Sequence, residues 1–171
     1  MQEYLGETYA KEFGMKVAIA RPYNSYGPGD NFNPATSHVI PSLIRRIWKL
    51  KERPVSVWGS GKQTRSFLYV EDFARGLLEV AEKYAVNDVL NIGSDEETSI
   101  ADLVGMLQEI YQELHGTKFE IFFDTSKPAG QPRRLCDTTK AFEKIGFRPQ
   151  WQLKEGLRAT VKWYLDANMP D

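Results

Sequence analysis

The stretch Arg21–Arg65 reads RPYNSYGPGDNFNPATSHVIPSLIRRIWKLKERPVSVWGSGKQTR, and its succession of signals decides the fold class. It opens at the end of a strand, crosses a polar loop rich in Asn, Gly and Pro, and enters a helix at His38. From there Val39, Ile40, Leu43, Ile44, Ile47 and Trp48 form an apolar stripe at helical spacing, with Arg45, Arg46 and Lys49 off it. Pro41 falls in the first turn, where its missing N–H costs little. Val55–Trp58 and Ser66–Val70 then read as two short strands around the turn Gly59-Ser60-Gly61.

Toward the N-terminus, Tyr4, Leu5, Thr8, Tyr9 and Phe13 recur at helical spacing, Gly14 sits where a left-handed residue ends a helix, and Lys16–Ala20 is a short strand. Toward the C-terminus, Glu71 and Asp72 supply the negative first turn of a helix that should carry Phe73, Leu77, Leu78 and Val80 inward. Asp88–Ile92 is strand-like and ends at Gly93. Ser99 with Asp102 makes a capping box for a helix through Leu103, Leu107, Ile110 and Leu114 that stops near Gly116. Phe119–Phe123 reads as a strand buried on both faces. A Pro- and Gly-rich loop runs from Asp124 to Arg134. Two helices finish the chain, one capped by Asp137 and ending near Gly146, the other from about Lys154 to Asp166. The class is α/β, and the length of 171 residues predicts one domain.

A formal net charge of -1 argues against a nucleic-acid partner, which needs a surplus of cations on some face. No apolar run approaches the roughly 18 residues of a membrane span, and Met1 is followed by Gln2 and Glu3 rather than a signal segment. With a single cysteine, Cys136, no internal disulfide can form, and a cytoplasmic location is the expectation. Two scattered histidines and one cysteine do not make a metal site.

Four arginines stand beside loops or helix ends: Arg46, Arg65, Arg133 and Arg134. Guanidinium forks of this kind suit bidentate recognition of a pyrophosphate; the alternative is surface pairing with the 23 acids of the chain. His38 stands at a helix entrance beside a loop, where an imidazole can exchange a proton with a ligand near neutral pH, or simply cap the helix. Tyr23, Tyr26, Phe32 and Trp58 flank the polar loop and could stack on a base or a nicotinamide ring, or close the core. Trp151, Trp163 and Tyr164 read as core.

Taken together, these segments carry a resemblance. Arg21-Pro22-Tyr23-Asn24-Ser25-Tyr26-Gly27-Pro28 resembles the R-P-x-N-x-Y-G-P segment of extended short-chain dehydrogenase/reductases that act on nucleotide sugars. Trp58-Gly59-Ser60-Gly61, Thr64-Arg65-Ser66-Phe67 and Val70-Glu71-Asp72 are similar to the substrate-domain signature of that family. Asn91-Ile92-Gly93, Arg133-Arg134 with Asp137, and Gly156-Leu157-Arg158 through Trp163-Tyr164 follow in the family's order. The polar loop from Asp30 to Pro41, and Asp124-Thr125-Ser126-Lys127-Pro128 with Gly130 and Pro132, most resemble the GDP-L-fucose synthase branch. The Arg21-Pro22-Tyr23 opening is more like general NAD-dependent sugar epimerases.

The resemblance implies roles. His38 falls on a general acid for epimerisation, and Arg46, Arg65 and Arg134 on cations near the nucleotide diphosphate. Asn24 falls on a polar substrate contact, Val39 and Trp58 on walls around nucleotide and sugar, and Pro22 and Tyr23 beside the cofactor. The partner implied is a GDP- or UDP-linked sugar, and the family's cofactor is NAD or NADP.

What the chain lacks is equally informative. It contains no G-x-x-G-x-x-G run, which would place a pyrophosphate on a helix N-terminus, and no Tyr-x-x-x-Lys pair. The expected architecture is therefore the C-terminal, substrate-binding portion of an extended Rossmann-type epimerase. It is a small mixed sheet with packed helices that lacks the Gly-rich half, with residues 1–24 as a remnant helix and strand of the Rossmann part. Such a chain is expected to bind no dinucleotide and to be inactive alone; the alternative is a stand-alone sugar-nucleotide binder, or a subunit that completes a site with another chain. An open strand edge and an uncovered first helix predict a homo-oligomer.

Overall fold

The computed structural model of the chain describes residues 1–167. In chain order its elements are α1 (Gln2–Phe13), β1 (Ile19–Pro22), β2 (Ser25–Tyr26), α2 (Val39–Ile44), β3 (Val55–Trp58), β4 (Thr64–Arg65), β5 (Leu68–Tyr69), α3 (Val70–Lys83), β6 (Val89–Ile92), β7 (Thr98–Ser99), α4 (Ile100–His115), β8 (Ile121–Asp124), β9 (Arg133–Arg134), α5 (Thr139–Ile145) and α6 (Leu153–Asp166). A wider, π-type turn over Arg45–Lys49 continues α2. The chain groups into two compact units. The first takes Met1–Ser25, Ser66–Glu96 and Cys136–Trp151; the second takes Tyr26–Arg65, Glu97–Leu135 and the segment from Gln152 on.

In the first unit β1 and β6 pair in parallel, Ile19 opposite Val89 and Pro22 opposite Ile92. The strand lies later than the sequence pattern places it. Residues 16–18 are held instead as loop, with Val17 accepting the Asn87 N–H at 2.8 Å. Leu68, Val80, Leu90, Ile92, Ala141, Ile145 and Phe147 form the core. Here α3 comes close because it presents a glycine: a Cβ on Gly76 would sit 2.4 Å from Ile92 Cγ2 and 2.9 Å from Phe147 Cε2.

That close approach leaves Val80 and Phe73 on the expected inward face of α3 and turns Leu77 and Leu78 away from it. Asp72, Gly76 and Val80 are buried, while Leu77 is exposed and Leu78 is 64% exposed. A buried carboxylate at Asp72 is satisfied by the Gln150 and Trp151 N–H groups at 2.8 and 2.9 Å and by Arg75 at 2.7 Å. Burial of a charge requires this degree of pairing. Helix α5 starts where the Asp137 carboxylate accepts the Thr139 N–H at 3.0 Å and stops at left-handed Gly146. Helix α1 has no buried residue, and its Tyr4, Leu5, Tyr9 and Phe13 side chains are exposed.

The second unit holds a parallel pair, β3 with β8, Val55 opposite Ile121 and Trp58 opposite Asp124. A separate small sheet has β4 at its centre, antiparallel to β7 and parallel to β9. Capping of α4 follows the sequence: Ser99 Oγ accepts the Asp102 N–H at 3.0 Å and meets its carboxylate at 2.6 Å. Along the seam between α4 and α6, Lys154 pairs with Glu109 and Arg158 with Glu113. Phe32 stacks on Tyr164 with ring centroids 4.5 Å apart, as core aromatics do.

Three expectations change here. The strand β8 begins only at Ile121 and is not buried on both faces, since Phe122 is 53% exposed. Phe119 lies ahead of the strand and is buried against Tyr111 and the Arg53 guanidinium. Leu114, in the last turn of α4, points away from the core and is exposed. Of the strand expected at Ser66–Val70 only Leu68–Tyr69 forms, as β5; buried Ser66 and half-buried Phe67 precede it, and Val70 already starts α3.

Candidate functional site

The loop before α2 is stiffened by its own side chains, and this positions His38. Asn31 Oδ1 accepts the Asn33 N–H at 3.0 Å, Asn33 Oδ1 accepts the Ala35 N–H at 2.9 Å, and Asn31 Nδ2 donates to Thr36 Oγ1 at 2.8 Å. Such Asx turns are why Asn and Asp crowd this segment. The chain then reaches His38 in extended conformation, φ −74° and ψ 174°, and the His38 carbonyl accepts the Ser42 N–H at 3.0 Å to start α2. No side-chain bond caps this helix, so the imidazole is not spent as a cap. Behind it, Asp30 Oδ1 takes the Asn31 N–H at 2.6 Å, while its buried Oδ2 meets no partner among the described residues. Burial pushes the Asp30 carboxyl up, opposed by the Asn31 N–H and by His38.

Within the second unit a cavity of about 700 Å³ opens against this helix entrance. His38, Val39 and Arg46 line one wall, and Val57 and Trp58 from β3 another. Gln63, Arg65, Pro128 and Ala129 close the rest. The Gly59–Gly61 turn permits the closure. Both glycines have left-handed φ, 79° and 75°; a Cβ on Gly59 would meet Ala129 Cβ at 2.6 Å, and one on Gly61 would meet Phe123 Cε1 at 2.4 Å. Gln63 braces the turn by donating from Nε2 to the Trp58 carbonyl at 2.9 Å.

The two cations on the cavity differ in their company. Arg46 donates from Nε and Nη2 to the two oxygens of Glu52 at 2.7 Å each, and from Nη2 to the Ser56 carbonyl at 2.6 Å. This fork holds the Glu52 carboxyl below its ordinary value, helped by the Ser56 N–H. Arg65 donates only to backbone, to the Thr64 carbonyl at 2.7 Å and the Gln131 carbonyl at 2.8 Å. Its charge meets no carboxylate in these bonds.

Of the residues singled out in the sequence, His38, Val39, Arg46, Trp58 and Arg65 therefore line one cavity. Arg134 is opposite Arg65 in the β4–β9 pair but does not line it. Arg133 is taken by surface pairing with Glu97, at 2.9 Å. Asn24, Pro22 and Tyr23 belong to the first unit. There Asn24, at φ 41°, donates its amide to the Ser66 carbonyl at 3.1 Å and accepts the Leu68 N–H at 3.1 Å, while the Tyr23 N–H donates to the Ile92 carbonyl. Sequence reasoning missed Glu52 and Gln63. No helical spacing links Glu52 to Arg46, and Gln63 stood as filler between two motif segments.

The described residues carry no G-x-x-G-x-x-G turn between a strand and a helix. After β1 the chain runs into Tyr23 and Asn24, not into a Gly-rich turn and helix, and the Asn24 amide is already engaged. At the end of β6 a Cβ on Gly93 would meet Cys136 Sγ at 2.6 Å and Tyr23 Cβ at 3.3 Å, so the space beside it is filled with side chains. Among the described residues no group of three or more His, Cys, Asp or Glu could hold a metal, and no helix is long and apolar enough to cross a membrane.

Comparison with known proteins adds the family. Residues 1–93 match the model of the NAD dependent epimerase/dehydratase family. The chain belongs to that family. A probable GDP-L-fucose synthase 1 of Oryza sativa subsp. japonica is 39% identical over 163 residues, which is 94% of this chain and 48% of the relative. A dTDP-4-dehydro-6-deoxy-D-allose reductase of a Streptomyces species is 37% identical, over 95% of this chain and 47% of the relative. Among solved structures, a UDP-glucose 4-epimerase of Thermotoga maritima with UDP-glucose superposes with a TM-score of 0.83 at 30% identity, covering 98% of this chain and 52% of that one. A UDP-glucuronic acid 4-epimerase of Bacillus cereus in complex with NAD gives 0.76 at 28% identity, covering 98% and 50%. The chain spans about half the length of the relatives it matches. Its α/β architecture is that of Rossmann-type epimerases, without their Gly-rich motif.

Proposed function

We propose that this chain is the nucleotide-sugar-binding part of an NAD(P)-dependent sugar epimerase or reductase, and that by itself it binds the nucleotide without transferring hydride. The observation that carries the reading is the convergence of His38, Arg46, Arg65 and Trp58 on one cavity. Two guanidinium groups suit a diphosphate, which presents several oxygens to planar donors. Trp58, 56% exposed on the cavity, offers a flat apolar face to a base or sugar, and Val39 an apolar wall. His38 stands ready to hand a proton to a sugar carbon. Relatives named as GDP-L-fucose synthases favour a GDP-linked sugar.

The chain's own residues supply binding, orientation and one proton. The dinucleotide would supply the hydride, and with no Gly-rich cradle and no Tyr-x-x-x-Lys pair this chain has nothing to hold it. Calorimetric titration with GDP, and with UDP in comparison, at low salt tests the reading. Tighter binding of GDP supports it; no binding of either sinks it. Oxidation of NAD(P)H by the chain with a 4-keto sugar nucleotide would refute the inactive half of the proposal.

A further inference from the structure

Arg46 and Glu52 are bound to each other twice, once by backbone and once by side chain. The π-type turn closes with the Leu50 N–H on the Arg45 carbonyl and the Glu52 N–H on the Arg46 carbonyl, both at 3.1 Å. Lys51 takes a left-handed φ of 51° to make that closure, the role a C-terminal αL residue plays at helix ends. It turns the chain back so that the Glu52 carboxylate lies along the Nε–Nη2 edge of the Arg46 guanidinium. Glu52 Oε1 also accepts the Ser56 N–H at 3.1 Å, while the Ser56 carbonyl accepts from Arg46 Nη2. Three residues thus close a ring that ties the cation to β3, the strand whose Val57 and Trp58 line the cavity.

We infer that Glu52 is a positioning residue for the anion site: it grips one edge of Arg46 and leaves the Nη1 edge for a phosphate group in the cavity. The inference rests on the nucleotide-binding reading above. An arginine side chain is long and rotamer-rich, and one held in advance loses less freedom when ligand arrives. Both partners are partly buried, with side-chain exposures of 22% and 31%, so the pair is less screened than a surface ion pair. The arrangement also has an opposite reading, in which Glu52 is a fixed anion that competes with phosphate for Arg46. The two differ in sign.

The test is calorimetric titration with GDP at low salt of wild type, Glu52→Gln, Glu52→Asp, Arg46→Ala and the Glu52→Gln/Arg46→Ala pair. The Arg46 Nε–Hε resonance is followed alongside by NMR. Positioning predicts that Glu52→Gln weakens GDP binding about ten-fold, and that Glu52→Asp, which keeps the charge but shortens the reach, weakens it too. It predicts no further loss when Glu52→Gln is added to Arg46→Ala, and a slowly exchanging Arg46 Hε in wild type that is lost in Glu52→Gln. Binding by Glu52→Gln as tight as wild type or tighter overturns the inference and leaves the nucleotide reading standing. Additive losses in the double variant overturn it as well, because they would come from a general loosening. If wild type binds neither GDP nor UDP, the nucleotide reading fails and the inference falls with it, whatever the Hε resonance shows.

Discussion

Gln63 spans the Gly59–Gly61 turn and donates from Nε2 to the carbonyl of Trp58 at 2.9 Å. It is buried, and the Ile100 N–H in turn donates to its backbone carbonyl at 3.0 Å. One residue, by its side chain and its backbone carbonyl, therefore joins the end of β3, the turn and the start of α4. Gln63→Ala removes the donor and leaves the Trp58 carbonyl without that partner. The expected cost is about 1–3 kcal/mol of stability, with weaker GDP binding because Trp58 and Arg65 are no longer held at fixed spacing. Urea unfolding and titration of the same variant measure both.

Gly76 is where α3 touches β6 and Phe147, and the space has no room for a methyl group. Gly76→Ala gains helix propensity but forces Ile92 and Phe147 apart, and overpacking of this kind costs about 1–3 kcal/mol. The variant is expected to melt lower than wild type, whereas Gly105→Ala in α4, where a Cβ would meet nothing within 4 Å, should melt higher.

Asp88 accepts from Lys140 Nζ at 2.6 Å and from the Tyr84 hydroxyl at 2.8 Å, and these partners bring its carboxyl down to about 2. A carboxyl lowered on folding stabilises the native state above its unfolded value, and that contribution fades as pH falls toward the folded value. Lys140→Met is therefore expected to be less stable than wild type at neutral pH, and the difference should shrink between about pH 4 and pH 2. A difference that stays constant down to acid pH would mean that the lysine acts through packing alone.

Arg65 and Arg133 stand on neighbouring strands, one lining the cavity and the other paired with Glu97 on the surface. Arg65→Ala is expected to weaken GDP binding by about ten-fold or more, as loss of a charge-assisted contact does. Arg133→Ala should leave affinity within about two-fold of wild type, because exposed pairs contribute little. Equal losses would place the anion elsewhere than in the cavity.

Residues with a local rule behind them were legible in the sequence. The caps at Gly14, Ser99 and Gly146 follow from side-chain chemistry and left-handed backbone, and Val55–Trp58 stands where its alternation puts it. Errors came where a tertiary contact overrides the local pattern. Hydrophobicity puts Leu77 and Leu78 beside Phe73 and Val80 on the inner face of α3, yet Val80 and Phe73 share that face with a glycine and a carboxylate instead, chosen by close approach and by the N–H groups of Gln150 and Trp151. His38, Arg46 and Arg65 stood out by residue type, and the family resemblance set them apart from capping and surface-paired residues. Glu52 did not, because its partnership depends on a π-type turn that no spacing rule anticipates.

Trp58 carries one more consequence. Of the four tryptophans, Trp48 is buried, Trp151 and Trp163 are half-buried, and only Trp58 is exposed, on the wall of the cavity. The molecule thus contains its own optical gauge. A nucleotide settling on that indole replaces water with an aromatic ring and should quench and blue-shift the red edge of the emission, and Trp58→Phe should abolish the response while the other three indoles continue to report the integrity of the fold.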